Sequence, residues 1–224
     1  MTLSRRLPPL ALIAAVVLVA CSGTSEEAAP RVVQPGAPGE PNRELTAGEL
    51  ADLEVPQHTD ADVRFMRAMI PHHLQALRMT SLVPARSERE DIPLLAGRMD
   101  AAQAEEIAFM QRWLEDRGEE VPDQGSGHEH DGASDSGELM PGMLTEGELT
   151  QLQEATGAEF DRLFLEFMIG HHEGALVMVE ELLSSDGGQE PEIFQLASHI
   201  DSDQRIEIGR MHGILAELDG DAPD

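Results

Sequence analysis

Two histidine pairs, His72-His73 and His171-His172, each follow a methionine by one helical turn, at Met69 and Met168. Imidazole is a borderline ligand and thioether a soft one. Together they suit copper(I) better than calcium or magnesium, whereas copper(II) or zinc would lean on histidine and carboxylate. Further along stand Gln103, Glu106 and Met110 after the first pair, and Gln204, Glu207 and Met211 after the second. Residues three or four apart on a helix share a face and differ in height by about 6 Å, so one helix can offer His and Met to one ion. A reading without metal uses the same residues. Flexible Met fills gaps in apolar cores, and Gln103 and Glu106 can satisfy a buried imidazole.

The elements that must position these groups come in two copies. With an offset of 99, Leu45 falls on Leu144, and 15 of the 35 positions through Met79 are identical. Chance would give about two, so the chain contains an internal repeat. Each copy opens on Thr-x-Gly-Glu-Leu, at Thr46 and Thr145. Thr followed three residues later by Glu is a capping box, which predicts a short helix start in both halves. Residues 62 to about 80 and 161 to about 183 then repeat apolar positions every three or four, which is helix periodicity. Pro71 removes one helix hydrogen bond and is a candidate kink, whereas Gly170 can bend without that loss. A further helix follows in each half, where Gln103, Glu106, Ile107, Met110 and Leu114 align with Gln204, Glu207, Ile208, Met211 and Leu215. No strand pattern stands out.

Two amphipathic hairpins cannot each bury their faces alone, so they are expected to dock as one all-α four-helix bundle. Antiparallel pairing puts His73 level with Gln103 and Glu106, and Met69 level with Met110. The second hairpin gives the same layer from Met168, His172, Glu207 and Met211. His72 lies well off the centre of that face and, like His171, reads as a flanking group. Asp62 and Asp161 stand about 16 Å from the histidine layer, which suits capping near the helix start. His212, beside Met211, can meet the helix dipole or supplement the layer.

The ends and the composition bound the setting. Arg5 and Arg6 precede an apolar stretch that ends in Leu18-Val19-Ala20-Cys21, which resembles the lipobox of bacterial lipoproteins. Residues 1–20 therefore read as a secretion signal, Cys21 as the lipid-accepting residue, and the mature protein as anchored to the cell envelope outside the cytoplasm. Cys21 is the only cysteine, so thiolate catalysis and Cys-based zinc sites are excluded. Residues 21–44 read as a flexible tether, 45–117 as the first helical repeat, 118–143 as a polar linker and 144–219 as the second repeat. The linker holds His128, Glu129, His130 and Asp131, a short tract of the kind that sometimes captures metal but that reads here as solvated chain. Forty-three acidic residues against fifteen basic ones give a net charge of -28. Such a surface repels nucleic acid and anionic headgroups, and reads either as a solvated, aggregation-resistant coat or as a device that enriches cations locally.

The motif Asp-x-x-Phe-x-x-x-Met-Ile-x-His-His-x-x-Ala-Leu-x-Met, at 62–79 and again at 161–178, followed by Gln-x-x-Glu-Ile-x-x-Met, resembles the ferritin-like domain of unknown function 305 family. The resemblance spans about residues 45–218. It implies an all-α ferritin-like bundle, commonly secreted or lipid-anchored, with some similar proteins binding copper in the periplasm. Carried over by position, the implicated residues are Met69, His72, His73, Glu106 and Met110, with Met168, His171, His172, Glu207 and Met211. Two departures separate the copies: Met66 becomes Leu165, and Trp113 becomes Ile214.

Three functions compete. A copper-binding envelope protein uses the duplicated soft ligands for storage, buffering or handover. A di-iron oxidase needs Glu-x-x-His pairs on facing helices, and the sequence contains none. A metal-free surface module would receive a partner helix, or another copy of itself, in a Met-rich groove. No nucleophile, phosphate-binding loop or substrate pocket makes a case for an enzyme.

Overall fold

The computed structural model describes residues 32–37, 39–51, 56–122 and 139–220. Cys21, the signal segment and the linker tract His128 to Asp131 lie outside the described residues. The chain divides into two units, residues 1–53 and 54–224.

In the first unit, β1 (Val33–Gln34) pairs antiparallel with β2 (Arg43–Glu44), in the register Val33↔Glu44 and Gln34↔Arg43. Two-residue strands are too short for the alternation that marks a strand in sequence, which is why none stood out. Helix α1 (Ala47–Ala51) follows, and its predicted start is present: Glu49 N donates to Thr46 Oγ1 at 3.3 Å and Thr46 N to Glu49 Oε2 at 2.9 Å.

The second unit is a helical bundle. Its first hairpin is α2 (Asp60–Thr80), a short α3 (Val83–Arg86) with Pro84 in its first turn, and α4 (Asp91–Asp116). Its second is α5 (Glu146–Glu154), α6 (Gly157–Ser184) and α7 (Pro191–Gly220). Thr145 and Glu148 form the predicted capping box of α5. Asp62 caps α2 with Thr59 and also accepts from Gly188 N at 2.6 Å, which ties the start of α2 to the loop after α6. Helix α2 continues through Pro71 without interruption.

Burial along α2 and α6 explains the architecture. Buried residues come as adjacent pairs every turn: Phe65-Met66, Met69-Ile70, His72-His73 and Gln75-Ala76 on α2, with Phe164-Leu165, Met168-Ile169, His171-His172 and Gly174-Ala175 on α6. A doubled stripe is buried on two sides. One side packs on the hairpin partner, α4 or α7, and the other joins α2 to α6 across the hairpins. Helices α4 and α7 bury a narrower stripe, as outer helices should.

Two apolar clusters flank the histidines. One unites Met66, Met69, Met110 and Trp113 with Met178, Val179 and Ile193. The other unites Met79, Ile92 and Met99 with Phe160, Phe164, Met168 and Met211. The early part of α2 thus meets the late part of α6, and the hairpins are related by an approximate two-fold through the bundle centre. Trp113 breaks that symmetry. Its indole donates to Glu190 Oε2 at 2.9 Å, and Arg117 stacks on it at 4.1 Å while pairing with Glu190. This clasp joins the end of α4 to the start of α7. Among the described residues no helix is long and apolar enough to cross a membrane.

A strap of residues 139–144 lies across α2 and α6. Gln75 holds it by two bonds, donating from Nε2 to Leu144 O at 3.0 Å and accepting from Leu144 N at 2.8 Å. Gly142 turns the strap with φ +74, and a Cβ on Gly174 would lie 2.0 Å from Pro141 O. Backbone cannot yield as a flexible side chain can. Gly174→Ala is therefore expected to displace the strap and cost about 1–3 kcal/mol. Gly209→Ala, whose Cβ would meet nothing within 4 Å, should instead hold or raise stability by up to about 1 kcal/mol. Urea midpoints of the two variants check the contrast.

Candidate metal centre

Both histidine pairs sit on the doubled stripes, so each pair sends one ring to each face. All four rings are 0% exposed, as are Met69, Met110, Met168 and Met211. His73 and His172 face their own hairpins. His73 Nε2 lies 2.8 Å from Glu106 Oε2, and His172 Nε2 lies 2.8 Å from Glu207 Oε2. The expected layer of histidine and glutamate is thus present twice, and the methionines expected beside it are buried in the adjoining apolar clusters.

His72 and His171 do something that the periodicity of a single hairpin did not announce. They meet each other across the hairpins, with ring centroids 3.9 Å apart and planes tilted by 39°. His73 lies 6.3 Å from His72, and His172 lies 6.4 Å from His171. The four rings form a row through the bundle centre, in the order His73, His72, His171, His172. Adjacent buried pairs every turn were the signal in the sequence that a second face was occupied.

The ring nitrogens define what the row can do. A carbonyl accepts only, so His72 Nε2–H donates to Pro141 O at 3.0 Å, leaving His72 Nδ1 as a bare lone pair. Nε2–H of His73 and of His172 donates to a carboxylate, which turns Nδ1 of each ring elsewhere. Among the described residues, Nδ1 of all four histidines and also Nε2 of His171 have no hydrogen-bond partner. Buried polar atoms of this kind cost about 1–3 kcal/mol each when unpaired. Their concentration in one layer makes that layer the candidate ligand site. Carboxylate behind imidazole also orients and strengthens a metal ligand.

Electrostatics keeps the central pair neutral. Burial, and then the neighbouring His73, bring His72 down to about 3, and burial together with His72 brings His171 well below the usual imidazole range. Neutral imidazole is the form that binds metal. Among the described residues no three His, Cys, Asp or Glu side chains converge where they could hold an ion. The fully buried methionines beside the row could add sulfur to an imidazole ligand set, and sulfur suits soft cations. The donor set fits copper(I).

Of the other histidines, His212 and His199 are exposed, and His58 packs edge-on against Trp113 at 5.4 Å. None joins the row. The side chain of Gln103 is buried beside the layer with both amide atoms unpaired, and Gln204 Oε1 is unpaired as well.

A bundle of two repeated helical hairpins around paired histidines defines a class, and the comparisons identify it. Residues 62–215 match the family described as a domain of unknown function (DUF305), and the chain belongs to that family. A DUF305 fragment from Deinococcus radiodurans is 30% identical with a TM-score of 0.60, over 72% of this chain and 99% of that one. A DUF305 protein from Streptomyces coelicolor is 27% identical with a TM-score of 0.60, over 70% of this chain and 93% of that one. CopM in its Cu(I)-bound form is 26% identical with a TM-score of 0.55, over 72% of this chain and 98% of that one. CopM has also been solved in Cu(II)-bound and Ag-bound forms. No curated protein matches the chain.

Proposed function

We propose that this protein binds copper in the cell envelope, holding Cu(I) through buried imidazole and thioether groups for buffering or handover. The observation that carries the reading is the row of four buried imidazoles whose unpaired nitrogens lie in a layer bordered by fully buried methionines. In the first hairpin His73 and Met69 with Met110 would hold the ion, and Glu106 would orient His73. In the second, His172, Met168, Met211 and Glu207 take the same parts. His72 and His171 extend the ligand supply between the hairpins. The copper- and silver-bound structures of CopM, a relative of the same fold, support the choice of a soft cation.

No step of bond making is assigned to these residues. Their work is to bind, to exclude water and to hold Cu(I) away from oxidants. Anaerobic titration of the soluble domain with Cu(I), against a chromophoric chelator, tests the reading. Transfer of copper from the chelator to the protein supports it, and a chelator that keeps all its copper removes it.

The placement outside the cytoplasm rests on Cys21 and the lipobox before it. Cys21→Ser is expected to move the mature protein from the membrane fraction to the soluble envelope fraction. An unchanged membrane pool would overturn the lipid anchor. The charge of -28 fits a carrier that draws cations from dilute surroundings.

A further inference from the structure

The two hairpins are copies of one another, yet their outer faces differ. Between α6 and α7 runs an open groove of about 540 Å³, floored by Leu176, Val177, Ile208 and Gly209. Val177 is 43% exposed, and Ile206, three residues before Gly209 on the same side of α7, is 52% exposed. At the matching positions the first hairpin carries Arg78 for Val177, Glu105 for Ile206 and Ala108 for Gly209. Arg78 pairs with Glu146, and Ile107 is buried where its counterpart Ile208 is only half-buried. A face that is charged and covered in one copy is apolar and open in the other.

Gly209 adds a second sign. Glycine within a helix is less stable than alanine there, and a Cβ at Gly209 would meet nothing within 4 Å. The bundle makes no use of the missing side chain, whereas a body laid in the groove would. Gly213, one turn further on, is equally open and stands where the first copy has Arg112.

The walls define the occupant. Glu173 and Glu180 line the groove from α6, seven residues and therefore about 10 Å apart. Arg205, the basic residue of the lining, is engaged by Asp201 at 2.8 Å. An apolar floor with carboxylates along one wall complements a helix whose apolar stripe is flanked by Lys or Arg. A second copy is disfavoured, because two chains of charge -28 would set acidic walls against each other. We propose that this groove docks an amphipathic, basic helix of another protein, its apolar side chains on Leu176, Val177 and Ile208 and its basic ones against Glu173 and Glu180. The docking does not require copper, although the same hairpin carries His172 and Glu207.

The test uses residues 21–224 with Cys21→Ser, and a fluorescein-labelled synthetic helix of about 18 residues with a Leu stripe between Lys flanks. Anisotropy at about 0.15 M salt reads binding without exaggerating surface charge. Val177→Arg with Ile206→Glu gives the second hairpin the residues of the first, alters only exposed side chains and leaves the net charge unchanged. Saturable binding to the parent, weakened by about tenfold or more in this variant, is the expected result. Equal binding by the variant, or equal binding of a scrambled peptide of the same composition, would assign the attraction to the acidic surface at large and overturn the groove. A parent that does not bind the helix would overturn it too. Sedimentation that shows a dimer of the parent alone, lost in the variant, would put a second copy in the groove and overturn the basic partner.

Discussion

Replacing His73 and His172 together by Ala is expected to remove the copper held by each hairpin, weakening Cu(I) there by on the order of a hundredfold or more. Each of these rings is wholly buried, is fixed by a carboxylate at 2.8 Å and presents its other nitrogen without a partner. On the copper reading, removing it takes an imidazole ligand from each hairpin layer. Glu106→Gln with Glu207→Gln should be milder, on the order of tenfold, because the ligand stays and only its orientation and basicity suffer. Competition titration reads both effects. If the histidine variant binds as tightly as the parent, these layers are packing and the copper lies elsewhere.

The second large effect is on stability. The apo domain is expected to lose stability as pH falls below about 6.5, with His72 and His171 each contributing on the order of 1 kcal/mol per pH unit. Both rings are held neutral by burial, His72 down to about 3 and His171 well below the ordinary range. Above pH 6.5 neither the folded nor the unfolded chain protonates them, and their stabilising effect is complete. Below it the unfolded chain takes up protons that the folded core refuses, so acid favours unfolding until the folded-state value is passed. Two pH units for two histidines amounts to several kcal/mol, against about 5–15 kcal/mol for a typical domain. The forty-three acidic residues act in the opposite sense, since their protonation relieves self-repulsion. A comparison with His72→Leu plus His171→Leu isolates the histidine term. Urea midpoints from pH 7.5 to 4.5 should fall more steeply in the parent than in the variant. Parallel curves would mean that the central pair is not held neutral.

Much of this was legible in the residues. Helix periodicity located α2 and α6, Thr46 with Glu49 and Thr145 with Glu148 announced the starts of α1 and α5, and antiparallel pairing placed His73 at Glu106 and His172 at Glu207. The contact between His72 and His171 is not encoded in the periodicity of either hairpin alone. Seen from a single face, His72 lies off centre. Its burial depends on the other hairpin, and the doubled stripe of adjacent buried residues is the pattern that carries that information. The strap was hidden for a different reason. Its position is set by backbone approach at Gly174 and by side-chain bonds from Gln75 and His72 that span 69 residues, and no local period encodes such contacts. The ladder of β1 and β2 is too short to show a period at all.

The most direct measurement is copper K-edge X-ray absorption on the soluble domain loaded anaerobically with Cu(I). Imidazole nitrogen and thioether sulfur together around each copper are what a buried row of histidines between methionine layers predicts. Copper surrounded only by oxygen donors, and easily stripped by a weak chelator, would place the ion on the acidic surface and contradict the account.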